Sequence, residues 1–154
     1  MFEQIESKIR NLKCGKSVKI IGPVNMYDCT LGNRVVIGPF CEIQNDVVIG
    51  DRSKIQSHTF ICSKVRIGMD CFVGHGVMFV NDKFSTGRPA GGNQELWQSP
   101  IIGNNVSIGS NATIMPVRIC DGTVVGAGAV VTKDISVVGK YAGNPAVLIE
   151  RLKR

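Results

Sequence analysis

The chain has 154 residues, 44% of them hydrophobic and 19% charged, which suits a single globular domain and is short for two. Aromatic residues make up only 6%, so small aliphatic side chains must fill the core. The net charge of +6 favours anionic partners, yet the basic residues gather near the two ends without an aromatic platform, which argues against nucleic-acid binding.

At the N-terminus, Phe2, Ile5, Ile9 and Leu12 recur at helical spacing, which predicts a short amphipathic helix capping one end of the domain. The segment is charged throughout and lacks the apolar core of a secretory signal, and no run approaches the roughly 20 apolar residues of a membrane span. The six cysteines form no CxxC pair, so reduced thiols are expected. The expected location is the cytoplasm.

From Leu31 onward the chain keeps a period of six. Leu31, Ile37, Ile43, Ile49, Ile55, Ile61, Ile67, Val73 and Phe79 fill nine successive slots with apolar residues. Four residues after each comes a small one, as in Val35, Cys41, Val47, Ser53, Thr59 and Val65. A helix repeats every 3.6 residues and a strand every 2, so neither explains the pattern. A triangular coil does: three short strands and three corners use 18 residues per turn, and turns stack about 4.8 Å apart.

The beat breaks after "VGHGVMFVND", where residues 81–100 form one long polar loop. Loops that interrupt a regular scaffold are disproportionately functional. It resumes at Ile102, Ile108 and Ile114, then slips by one residue to Ile119, Val125, Val131 and Val137, which predicts a distorted corner near Pro116. The terminal "NPAVLIERLKR" reads as a second short helical cap. The expected fold is therefore all-β: one domain over 1–154, a parallel β-helix with helical caps at both ends and one long loop.

From about Leu31 to Leu148 the chain resembles the hexapeptide-repeat acyltransferases, whose β-helix is left-handed. The segments "VVGAGAVVTKDI" and "YAGNPAVLI" look like that family's acetyl-CoA-binding region and terminal motif. "IQSHTFI" and "GHGVMFVND", together with Trp97, resemble the N-acetyltransferases that act on nucleotide-linked 3-amino-3,6-dideoxyhexoses in bacterial surface-glycan (lipopolysaccharide O-antigen) synthesis. In that subgroup an aromatic and a Pro-Arg pair follow Asn-Asp closely; here the run is "NDKFSTGRPAGG", and Arg88 is displaced.

The resemblance implies acetyl-CoA as co-substrate, a nucleotide-linked (dTDP-linked) amino sugar as acceptor, and a homotrimer with its sites between subunits. Backbone amides around Gly109, Gly126 and Ala127 would hold pantetheine, Lys133 and Arg151 the phosphates, and Asn144 and Pro145 would border adenine. Asn81, Asp82, Arg88 and Trp97 would contact the acceptor.

His58 and His75 are the only histidines and stand 17 residues apart, which brings them together at one corner of adjacent coils. Asn81 and Asp82 follow at the next corner, so they would meet a histidine only across a trimer interface. An imidazole, with an ordinary pKa of about 6.5, suits the removal of a proton from an attacking ammonium, and Asp82 would orient it. The catalytic candidates are therefore His75, Asp82 and His58.

Three alternatives differ in what they require of the chain. An O-acetyltransferase would use the same plan with a hydroxyl acceptor. A non-catalytic trimeric scaffold would need none of these side chains. The zinc carbonic anhydrases of this fold require three histidines, one more than the chain has, so no metal is expected.

Overall fold

The computed structural model describes residues 1–153 as a parallel β-solenoid. Its strands are mostly two residues long and stack into three flat sheets of seven, six and eight strands, which form the three faces of a prism. Chain order runs from first face to second to third and then climbs one coil. Register is kept from coil to coil: Glu42–Ile43 pairs with Phe60–Ile61 on the first face, Val48–Ile49 with Arg66–Ile67 on the second, and Phe72–Val73 with Ser107–Ile108 on the third.

In each two-residue strand of the central coils the second side chain points inward, and Ile37, Ile43, Ile49, Ile55 and Ile61 are all fully buried. Each such burial contributes roughly 1.5–3 kcal/mol. The small column fits where the prism narrows. Its polar members are satisfied: Ser53 Oγ donates to Gly68 O at 2.8 Å and accepts from Cys71 N, and Thr59 Oγ1 donates to Gly74 O. Their hydroxyls replace backbone partners that the corners cannot supply.

The three corners differ in tolerance. From second to third face, and from third to first, successive inward residues are always six apart, as in Leu31, Ile37 and Ile43 or Ile102, Ile108 and Ile114. All variation falls on the first corner, between first and second face. There Met26 to Leu31 takes five residues, Ile114 to Ile119 five, and Val131 to Ile135 four. The long loop, between Phe79 and Ile102, leaves from this same corner. The distorted corner expected near Pro116 is present as the short bend between Thr113–Ile114 and Arg118–Ile119.

Three expectations are corrected. The N-terminal segment is not helical: residues 1–8 have no regular structure, Phe2 and Ile5 are exposed, and Ile9–Arg10 is a strand paired with Asn25–Tyr27. A helix of about 12 residues is marginal alone, whereas the open edge of the next coil offers ready hydrogen bonds. The solenoid thus starts well before Leu31.

The C-terminal segment is not helical either. Val147–Arg151 runs antiparallel to Gly139–Ala142 and extends the third face as a hairpin. Gly143, at φ +93°, opens the turn, and β-branched Val147 and Ile149 suit a strand. Last, Val137 is 41% exposed and the inward position belongs to Ile135, because the last first-corner passage is two residues short.

Candidate functional site

The third corner, between third and first face, carries the histidines. Two rows of residues climb it. Pro39, Ser57, His75, Ser110 and Ala127 form one; Phe40, His58, Gly76, Asn111 and Gly128 form the other, all with φ between +59° and +69°. The rows are tied by backbone bonds: His58 N donates to Pro39 O, Gly76 N to Ser57 O, Asn111 N to His75 O and Gly128 N to Ser110 O. The two histidines are on adjacent coils, as expected, but in different rows, because 17 residues is one short of a full turn.

Ser57, one full turn below His75, therefore stacks directly beneath it. Its Oγ lies 2.9 Å from His75 Nδ1. When Nδ1 carries the proton and donates to Ser57 Oγ, the Nε2 lone pair is left free on an exposed ring. Glycines flank His75 on both sides. A Cβ on Gly76 would collide with the Asn111 side chain, and one on Gly74 would lie 2.7 Å from Ser110 N. His58 packs elsewhere, against Phe40 with ring centroids 4.9 Å apart.

Above Ser110 and Asn111 the corner carries only small residues, Gly126, Ala127 and Gly128. Gly109 abuts the backbone of Ala127, and a Cβ on Gly126 would lie 3.2 Å from Ala142 Cβ. Asn144 and Pro145 sit in the turn that closes the top of this edge, where Val130 N donates to Gly143 O and Ala146 N to Val130 O. Gly109, Gly126, Ala127, Asn144 and Pro145 thus line one continuous edge with His75. Lys133 does not join them, since it lies in the first corner, and Arg151 stands on the outermost strand opposite Gly139.

Asn81 and Asp82 hold the long loop. Buried Asn81 donates from Nδ2 to Ser63 O at 2.9 Å and accepts at its carbonyl from Gln98 N, pinning both ends of the loop together. Asp82 accepts at Oδ1 from Phe84 N (2.9 Å) and at Oδ2 from Ala90 N (2.8 Å). Lys64 Nζ donates to Gln94 O, ahead of a single 3-10 turn, Gln94–Leu96, after which Trp97 is half-buried. Arg88 is exposed. Among the described residues Asp82 makes no hydrogen bond with either histidine, because a face of the prism separates their corners.

The sequence reading missed Ser57 and Phe40. The signal for Ser57 was present, since the 18-residue turn that pairs other columns also pairs 57 with 75. Among the described residues no three His, Cys, Asp or Glu side chains gather as a metal site. Among the same residues no helix is long and apolar enough to cross a membrane.

Comparison with known proteins agrees with this geometry. Residues 28–63 match the bacterial transferase hexapeptide (six repeats), and residues 101–133 match the hexapeptide repeat of succinyl-transferase. A chloramphenicol acetyltransferase of Agrobacterium fabrum is 48% identical over 52 residues, 33% of this chain and 25% of that protein. A galactoside O-acetyltransferase of Escherichia coli is 48% identical over 62 residues, 39% of this chain and 30% of that protein. The alignments thus span about a quarter to a third of these curated relatives.

Among solved structures, AntD, an N-acyltransferase from Bacillus cereus solved with dTDP and coenzyme A, superposes with a TM-score of 0.74 at 24% identity, over 95% of this chain and 83% of that one. A GDP-perosamine N-acetyltransferase from Caulobacter crescentus, with CoA and GDP-perosamine, gives 0.60 at 22% identity, over 93% of this chain and 57% of that one. By its repeats, at residues 28–63 and 101–133, and by its fold the chain resembles the hexapeptide-repeat transferase family. That family implies the left hand for the coil.

Proposed function

We propose that the protein is an acetyl-CoA-dependent N-acetyltransferase that modifies the 3-amino group of a nucleotide-linked, dTDP-linked, 3-amino-3,6-dideoxyhexose for bacterial surface-glycan synthesis. The observation that carries this reading is the third corner: an exposed imidazole with one nitrogen engaged by Ser57, at the foot of an edge of small residues and glycines. Such an edge suits a slender pantetheine chain held by backbone groups. The similarity to proteins solved with coenzyme A and with nucleotides or nucleotide-linked sugars supports the choice of donor and acceptor.

The acetyl thioester supplies the group transferred. His75 Nε2 takes a proton from the acceptor ammonium, freeing the nitrogen lone pair for the carbonyl carbon; the carbon–sulfur bond breaks as the carbon–nitrogen bond forms, and a proton returns to the departing sulfur. Alignment supplies about 7–11 kcal/mol, more than the 10²- to 10⁴-fold typical of a general base. His58 lies on the acceptor side. In a homotrimer the loop of a neighbouring copy brings Asn81, Asp82, Arg88 and Trp97 to the cleft; Gly109, Gly126, Ala127, Asn144 and Pro145 border the cofactor groove, while Lys133 and Arg151, which stand away from that edge within one chain, reach the cofactor phosphates only from a neighbouring copy.

A second reading, acetylation of a hydroxyl, is favoured by the local identity to the galactoside and chloramphenicol acetyltransferases. Thiol release from acetyl-CoA separates the two when measured against thymidine- and uridine-linked amino sugars and against free hydroxyl acceptors. Turnover with hydroxyl acceptors alone would reject the N-acetyl reading. Sedimentation that finds an active monomer would remove the shared clefts.

A further inference from the structure

Below His75 the positive-φ row has a different character from the rest of the solenoid. Every other non-glycine residue with positive φ in a solenoid corner is polar, as in Asp28, Arg34, Asp46, Arg52, Lys64 and Asn111. Phe40 is the exception, and it is 57% exposed. An aromatic ring left in water at a strained backbone position contributes little to the fold, because the core lies on the other side of the chain. One side of it meets the His58 ring at 4.9 Å, tilted by 32°.

Phe40 also lines a cavity of about 190 Å³, together with Pro23, Asn25, Cys41 and Glu42. That is smaller than the sites that enclose a whole drug-sized ligand and matches one ring of a larger one. Asn25 and Glu42 are register partners on adjacent strands, and both line the cavity. Asn25 Oδ1 accepts from Arg10, which leaves the Asn25 amide as donor; Glu42 Oε1 accepts from Gln44, which leaves its second oxygen as acceptor. A donor beside an acceptor complements an imide, the carbonyl and N–H edge of thymine or uracil.

We propose that Phe40, Asn25 and Glu42 form the base subsite of the acceptor, with a pyrimidine imide ring stacked on Phe40 and its edge read by Asn25 and Glu42. Phe40 lies two coils below His75, about 10 Å along the prism at the usual strand spacing, a distance that a ribose and a diphosphate bridge between base and sugar. This rests on the reading of the acceptor as a nucleotide-linked sugar.

The test uses the full chain and calorimetric titration with dTDP, UDP, ADP and CoA. In the wild type, dTDP or UDP binds more tightly than ADP. Phe40→Ala weakens that binding on the order of tenfold, the loss of one stacked base, while CoA affinity and oligomeric state are unchanged and Phe40→Tyr restores it. Glu42→Gln erases the preference over ADP. Unaltered dTDP binding in Phe40→Ala, no binding of any of the diphosphates, or a parallel loss of CoA would overturn the subsite. Phe40-dependent dTDP binding in a protein that acetylates no amine would sink the N-acetyl reading and leave the subsite standing; acetylation with an unchanged acceptor KM in Phe40→Ala would do the reverse.

Discussion

Ser57 Oγ and His75 Nδ1, 18 residues apart in sequence and one coil apart in space, meet at 2.9 Å. The contact holds the ring, and the Nδ1–H tautomer leaves Nε2 free to accept a proton. Replacing Ser57 with alanine removes one hydrogen bond, so kcat should fall about 3- to 10-fold with both KM values unchanged, and Ser57→Thr should restore most of it. His75→Ala should lose about 100-fold without abolishing turnover, since alignment survives. Both residues lie at the surface, so the thermal midpoint should not move in either variant.

Asp82 closes the mouth of the loop through two backbone amides, Phe84 N and Ala90 N. Asp82→Ala should release the segment between them, seen as faster tryptic cleavage after Lys83. Because loop geometry and acceptor contact are lost together, its activity should fall below that of His75→Ala.

The glycines of the third corner separate packing from backbone strain. A methyl at Gly109 runs into the Ala127 backbone, so Gly109→Ala should destabilise the fold by roughly 1–3 kcal/mol and raise the KM for acetyl-CoA. Gly128 has open space around it but φ +69°, so Gly128→Ala should cost only about 1–2 kcal/mol. Urea denaturation measures the difference.

Ser53 holds the Cys71 amide and the Gly68 carbonyl on the next coil. Ser53→Ala leaves both groups without that partner in a closed interior and should cost about 1–3 kcal/mol. If the stability of Ser53→Ala matches the wild type, these bonds are not limiting.

Burial pushes the Cys29 thiol up to about 11 and the Cys62 thiol up to about 12. Unfolded thiols titrate near 8.5, roughly, so the unfolded chain loses protons first. Stability from this source is complete below about pH 8.5 and declines as pH rises toward 11 and 12. Denaturation midpoints at pH 8, 9 and 10 should fall in that order, with a shallower slope in Cys62→Ala. At pH 8, iodoacetamide should label exposed Cys14 before the buried thiols.

The repeat was legible because the inward residues are chemically uniform and two corners never change length. Where the first corner shortens, phase is lost. Counting back by six from Leu31 lands on Asn25, Lys19 and Lys13, while the residues in register with the inward column are Met26, Ile20 and Cys14, so the first coils were hidden. Counting forward to Val137 failed for the same reason.

By itself the sequence determined the prism, since two apolar columns in phase at a period of six fit neither a helix nor an ordinary strand and do fit a three-sided coil. It also placed His58 and His75 at one corner and Asn81 and Asp82 at the next. Only the tertiary structure decided the ends, because an open strand edge recruits short segments whose own helical preference is worth too little to resist it. It likewise decided the partners: Ser57 for His75, Phe40 for His58 and two loop amides for Asp82 follow from which rows stack and from how the loop folds back, and these depend on distances that residue spacing does not contain.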